Sequence, residues 1–288
     1  MPLLEQAPAK INLTLRLIGR RSDGYHDIES LVAFAGIADD LTFFPGEPLA
    51  LQVDGPTADQ AGEIADNLVL KAARGLATRV PGLKTGRFLL TKRLPVAAGV
   101  GGGSSDAAAA LRLLARVNSL RFDDARLIET GCATGADVPV CIDPRARIMR
   151  GIGDVLSAPL AIAKLAAVLV NPEVPVATKE IFGMLGLDKG EQRAARTADP
   201  VDLSTPDLLL AYMRDHANDL EQAAIALQPV IADALAALTA QSGCRIARMS
   251  GSGATCFGLF ESPRAAEAAA ANLARARPTW WVCPTTLG

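Results

Sequence analysis

Aromatic side chains are scarce in this 288-residue chain, at 4%, and there are only two histidines, His26 and His216. With half of all residues hydrophobic, the core must rest on aliphatic and alanine packing. An excess of either charge is also missing. The 29 basic and 31 acidic residues leave a formal net charge of −2, which gives no footprint for nucleic acid or an anionic membrane. Phosphorylated small molecules remain admissible, because they need positive charge only locally. Five cysteines, Cys132, Cys141, Cys244, Cys256 and Cys283, are widely spaced, with no C-x-x-C pair. They signal neither a zinc site nor a disulfide framework, and read as small buried hydrophobes in a reducing compartment. The apolar run 165–170 is far too short to span a bilayer. The first ten residues lack the basic start and apolar segment of a secretion signal. A soluble cytoplasmic protein is the expectation.

The chain is longer than one typical domain and shorter than three. Ile11, Leu13, Leu15 and Leu17 alternate with Asn12, Thr14 and Arg16, which predicts a strand over 9–18 with one buried face. Further strands are predicted at 28–34, 40–44, 49–53, 87–92 and 147–150, with helices at 67–78, 106–117 and 123–130. Beyond about residue 156 a second region begins. Its predicted order is strand 166–170, helices 178–185, 208–216, 219–227 and 230–242, strands 245–249 and 256–260, helix 263–276 and strand 280–283. This succession resembles a ferredoxin-like half. His216 falls in a helical stretch and carries no functional reading. Residues 186–206, charged, alanine-rich and interrupted by Pro200 and Pro206, read as a mobile excursion or lid. The expected architecture is α+β, divided into residues 1–156 and 157–288, with the binding cleft between them.

Four segments carry chemistry. The strongest is Pro95-Val96-Ala97-Ala98-Gly99-Val100-Gly101-Gly102-Gly103-Ser104-Ser105, directly before a helix. Glycine lets the backbone approach a ligand closely, and the N–H groups at a helix start point at whatever occupies the loop. That combination is a phosphate cradle, although Ser105 or Asp106 would also serve as the N-cap of a plain turn. It is not a Walker A loop, since no Gly-Lys-Ser/Thr follows, and the glycine spacing does not fit a dinucleotide fingerprint. The second segment places Lys10, with Asn12, on an apolar strand, where lysine is seldom buried without a partner. The third encloses Asp137 between Gly135-Ala136 and an apolar stretch, either as a perturbed carboxylate or as a cap. The fourth, Ser250-Gly251-Ser252-Gly253-Ala254-Thr255, links two predicted strands and would also suit a hairpin turn.

In this order the four segments resemble the GHMP kinases, a family that includes galactokinase, homoserine kinase and mevalonate kinase, over nearly the whole chain. The Asp23-Gly24-Tyr25-His26 segment resembles the branch of that family whose acceptor alcohol carries a cytidylyl group. The resemblance implies an ATP- and Mg²⁺-dependent kinase. Asp137 would be the catalytic base and Lys10 would hold it ionised. The 95–105 loop would bind the phosphates, Ser105 would reach the metal and Asn67 would approach the adenine. Tyr25, His26 and Phe182 would hold the cytosine, with Thr178 and Asn12 as polar contacts. Expected partners are the cytidylyl substrate and ATP, with no nucleic acid and no membrane, the chain acting as a monomer or homodimer. Two rivals stay open. One is a GHMP kinase of homoserine or mevalonate type, against which the Tyr25–His26 pair argues. The other is a non-catalytic ATP-binding regulator, against which the retention of both Lys10 and Asp137 argues.

Overall fold

The computed structural model describes every residue except Ala97 and Val201. In chain order the elements begin β1 (Leu3–Asn12), β2 (Arg16–Arg20), β3 (His26–Pro45), β4 (Ala50–Asp54), α1 (Leu68–Arg79), β5 (Gly86–Thr91), α2 (Gly102–Val117), α3 (Ala125–Thr134) and α4 (Val138–Ile142). They continue with β6 (Arg147–Gly151), β7 (Val155–Leu156), β8 (Leu165–Asn171), α5 (Thr178–Gly183), α6 (Pro206–Asp215), α7 (Glu221–Leu227), α8 (Val230–Thr239), β9 (Cys244–Met249), β10 (Cys256–Phe260), α9 (Pro263–Ala276) and β11 (Trp281–Leu287). Two compact units interleave along the chain, where the sequence places a single boundary at 156/157. The first comprises Met1–Lys10, Ala38–Val96 and Gly101–Pro144, and the second Ile11–Ile37, Ala97–Val100 and Arg145–Gly288.

In the first unit β4 and β5 are parallel neighbours, and α1 supplies the crossover that such a pair requires. β5 also pairs antiparallel with β3 from Asp40↔Thr91 to Pro45↔Gly86. Asn67 caps α1, its side chain accepting a hydrogen bond from the Val69 N–H. α1, with Val69, Ala72, Ala73 and Leu76 buried, packs on α2, an alanine- and leucine-rich helix buried along most of its length, and on α3. Small side chains let these helices approach closely where aromatics are few.

In the second unit the strand order β11-β8-β10-β9 is antiparallel throughout. With α8 and α9 packed on the sheet, this is the expected ferredoxin-like arrangement. β8 is buried at every position, which accounts for its unbroken apolar run.

Three expectations change. The strand predicted over 9–18 breaks after Asn12, because tertiary partners draw the chain aside. The Leu13 and Thr14 N–H groups both reach the Leu31 carbonyl, and the Leu15 N–H donates to Ala217. Residues 9–15 are buried on both faces, so Lys10, Asn12 and Thr14 are interior groups. The strands predicted at 28–34 and 40–44 are one twenty-residue strand, β3. Within 186–206, the stretch 190–197 is fastened along β2. The Gly190 N–H donates to Arg20, the Arg20 N–H to Glu191, and the Arg193 N–H to Ile18, at 2.7–2.8 Å.

Glu29 locks that segment from beneath. Its buried carboxylate accepts from Arg16 at 3.0 Å, Arg150 at 2.8 Å and the Thr197 hydroxyl at 2.5 Å. Burial pushes the carboxyl up, but the bonds from Thr197 and Arg150 outweigh it and hold Glu29 below the usual carboxylate range. Replacing Glu29 with alanine leaves two half-buried guanidinium groups without this partner. Glu29→Ala is expected to destabilise the protein by about 3 kcal/mol in urea denaturation and to open 190–197 to proteolysis. Unchanged values for both would show that the backbone bonds suffice.

Candidate active site

The glycine-rich loop ends in an αL residue, Gly101 (φ 62°), which is the N-cap of α2. The helix starts at Gly102, four residues before the expected 106, so Gly102, Gly103, Ser104 and Ser105 form its first turn. The first intrahelical bond runs from the Ser105 N–H to the Gly101 carbonyl at 2.8 Å. The preceding N–H groups therefore have no helical partner, the feature that anion binding at a helix start uses. Two glycines are there for space. A Cβ on Gly101 would stand 3.2 Å from Lys10 Cε, and one on Gly99 (φ 74°) only 2.4 Å from the Ser250 carbonyl oxygen. Pro95 and Val100 are buried, and the Val96 N–H donates to Gln60. Ala97 lies outside the described residues.

In the first unit, Lys10 Nζ lies 2.9 Å from Asp137 Oδ2, so the two touch directly. The Lys10 side chain is 4% exposed and that of Asp137 34%. Burial of an ammonium demands a counter-charge, and the pair leaves the carboxylate as its approachable end. Asp137 occupies the N-cap position of α4, yet its side chain makes no capping bond. A five-residue helix start thus presents the carboxylate, and Lys10 holds it.

Ser105, the expected metal contact, is fully buried. Its Oγ has no hydrogen-bond partner among the described residues and lies beside Cys141. Burial and the negative charge of Asp137 push the Cys141 thiol up to about 12. The more accessible first-turn hydroxyl is that of Ser104. Among the described residues no group of three or more His, Cys, Asp or Glu is placed to hold a metal ion.

Sequence reasoning missed a buried cluster in the same unit. Lys92 Nζ donates to Asp39 Oδ2 at 2.5 Å and to Asp106 Oδ2 at 2.8 Å. Asp39 Oδ1 accepts from the Arg93 and Leu94 N–H groups. Burial, eased by Lys92 but reinforced by Asp39, pushes the Asp106 carboxyl up to about 7. The available signal was Asp106 itself, five residues into an alanine-rich helix and too deep to cap it.

In the second unit, Asn12 is pinned. Its amide donates to Ser30 Oγ at 2.7 Å, and its backbone N–H to Ser250 Oγ at 3.1 Å. Ser250 Oγ in turn donates to the Gly99 carbonyl, and the Thr255 N–H to that of Ala98. The 250–255 segment is thus both a hairpin connection between β9 and β10 and a clamp on the glycine-rich loop. Thr178 Oγ1 lies 2.8 Å from Ser252 Oγ, tying the start of α5 to the same segment. His26 stacks on Phe182, with ring centroids 4.7 Å apart and planes at 25°. His26 Nε2 is buried with no hydrogen-bond partner among the described residues. Tyr25 stands 61% exposed on a turn whose backbone is held by Asp23. Phe182 therefore meets His26. Asn67, spent on capping α1 through its oxygen, is half-buried.

A glycine-rich helix start thus lies in the same unit as a lysine-held aspartate. The chain matches the model for the GHMP kinases N terminal domain over residues 67–143 and that for GHMP kinases C terminal over 201–278, and it belongs to the GHMP kinases, which use ATP as phosphoryl donor. It is 60% identical to the 4-diphosphocytidyl-2-C-methyl-D-erythritol kinase of Methylobacterium radiotolerans, over 99% of each chain. It is 56% identical to the protein of that name in Methylorubrum extorquens, again over 99% of each. A crystal structure of 4-(cytidine 5'-diphospho)-2C-methyl-D-erythritol kinase superposes with a TM-score of 0.78 at 33% identity, covering 99% of each chain. Homoserine kinase from Cytophaga hutchinsonii (TM-score 0.68, 19% identity, covering 98% and 94%) shares the fold.

Burial, and after it the nearby Arg20 charge, hold the His26 imidazole below its ordinary value of 6.5. The folded protein therefore favours neutral His26, and the stability this confers is lost as pH falls through the depressed value. An NMR titration is expected to place His26 below 6.5, and Arg20→Met to move it upward. A wild-type midpoint at or above 6.5 would remove burial as the controlling influence.

Proposed function

We propose that this kinase phosphorylates the 2-hydroxyl of 4-diphosphocytidyl-2-C-methyl-D-erythritol with ATP, giving the 2-phosphate and ADP, in the non-mevalonate route to isoprenoid precursors. The observation that carries the catalytic reading is the buried Lys10 ammonium 2.9 Å from the accessible Asp137 carboxylate. Supporting the acceptor are the Tyr25–His26 turn, Phe182 stacked on His26, and the names of the relatives.

In this reading Asp137 accepts the proton of the substrate hydroxyl as its oxygen bonds to the γ-phosphorus, and the bond to the ADP oxygen breaks. Lys10 pairs with the Asp137 carboxylate and places positive charge near the transferred group. Phosphoryl transfer asks mainly for positioning and charge stabilisation, which the N–H groups of 101–104 supply. Magnesium enters with the nucleotide as Mg–ATP, and Ser105, whose buried Oγ has no hydrogen-bond partner among the described residues, is the hydroxyl that would reach it. Asn67 approaches the adenine with its amide nitrogen. Tyr25 stacks on the cytosine, the orphaned Nε2 of His26 bonds its polar edge, Phe182 supports them, and Thr178 and Asn12 meet polar groups. Residues 1–156 carry the loop and base in this reading, and 157–288 the remainder. The enzyme works in the cytoplasm as a monomer or homodimer.

A coupled ADP-release assay with Mg–ATP tests this against homoserine, mevalonate and galactose as alternative acceptors. Turnover with the cytidylyl compound alone is expected. Asp137→Asn should lower kcat by about 10²–10⁴-fold and leave ATP binding intact, whereas near-normal turnover would take the base role from Asp137. Tyr25→Ala should weaken binding of the cytidylyl acceptor by about 1–3 kcal/mol, read as a raised KM. An unchanged KM would refute the stacking.

A further inference from the structure

We propose that Lys92 is a positioning residue for ATP, fixing both ends of the phosphate loop through Asp39 and Asp106. The inference rests on the reading that this loop binds ATP. Asp39 gathers the entry: one carboxylate oxygen takes the N–H groups of Arg93 and Leu94, the last two residues before Pro95, while the other takes Lys92 Nζ. The same ammonium donates to Asp106, the residue that follows Ser105 in α2. One cation thus joins the backbone that enters the loop to the helix that leaves it. It also lies directly beneath the first turn, with Nζ 3.5 Å from where a Cβ on Gly102 would be. The Lys92, Asp39 and Asp106 side chains are 3%, 0% and 3% exposed, so the linkage is shielded from water and salt.

A loop that binds through backbone N–H groups has no side chain with which to correct its own position. Small errors at its ends therefore pass straight to the phosphate contacts. Two carboxylates share one ammonium here, and Asp106 Oδ1 has no hydrogen-bond partner among the described residues. Burial, with the Asp39 carboxylate close by, raises the Asp106 carboxyl, which limits negative charge under a site for an anion. Arg112, Lys10 and Asp137 have partners of their own elsewhere in the unit.

The test uses the full-length enzyme with Lys92→Met, which removes the charge at similar length, and Asp106→Asn, which keeps an acceptor for Lys92. Thermal melts by circular dichroism establish that each variant is folded. Steady-state kinetics then give kcat and separate KM values for Mg–ATP and the acceptor. For Lys92→Met the expected result is a KM for Mg–ATP raised on the order of tenfold or more, with the acceptor KM close to wild type. Asp106→Asn is expected to shift it in the same direction by less. A folded Lys92→Met with wild-type KM for Mg–ATP overturns the proposal. So does a fall in kcat with both KM values unchanged, since that reports only a smaller active fraction. If Lys92→Met does not fold, Asp106→Asn decides by the same criteria. Gly103→Val, at the exposed first turn of α2, separates this from the underlying reading. If it leaves the KM for Mg–ATP unchanged, the loop is not the ATP site and the proposal falls with it. If it raises that KM while Lys92→Met does not, only the role of Lys92 is lost.

Discussion

A loop made largely of glycine can approach a phosphate because it has no side chains, and for the same reason it cannot hold its own shape. Its conformational freedom must be removed by its surroundings. Here the restraints are side-chain atoms bonded to backbone. Asp39 takes the N–H groups that lead into the loop, and Ser250 donates to the carbonyl of Gly99. The exit is restrained through Asp106 on α2. Asn12 takes part as well, its backbone N–H holding the Ser250 hydroxyl that reaches Gly99.

The buried charges follow one rule with different outcomes. Lys10 has one carboxylate, and that carboxylate is partly open, so the pair has an end that can receive a proton. Lys92 has two carboxylates and all three groups are enclosed, so the cluster can only hold and not react. Glu29 reverses the signs, one carboxylate against two guanidinium groups, and fastens a charged segment to β2 and β3. Exposure of one partner separates a catalytic arrangement from a structural one, more than the presence of the ion pair does.

Where chemistry sits in short motifs, the sequence was readable. The glycine-rich loop and the ferredoxin-like succession follow from residue types and spacing, the pairing of Lys10 with Asp137 from the resemblance to the GHMP kinases, and α9 spans the predicted 263–276. What escaped depends on partners distant in the chain. Residues 9–18 alternate as a single strand should, yet bonds to Leu31 and Ala217 break it. The 186–206 segment has the composition of a free loop. Glu29, 168 positions away from Thr197, makes part of it an anchored one. The early start of α2 was hidden because glycine is a poor helix former, and only the tertiary setting places Gly102 and Gly103 inside the helix. Lys92 at the end of a predicted strand gave no hint that Asp39 and Asp106 converge on it.

The hydrogen bond from Asn12 to Ser250 spans 238 positions, and that from Ser250 to Gly99 spans 151. During synthesis, residues 1–144 can assemble most of the first unit well before Ser250 leaves the ribosome. The segment that must secure Gly99 is among the last to appear, and β8 then still awaits β11. On the proposed reading that this loop binds ATP, nucleotide affinity should arrive late and abruptly as the chain is completed, and not build up with each added element. A nascent kinase would emerge with its helix start formed but its loop unsecured, so ATP would bind chiefly to chains already able to turn over.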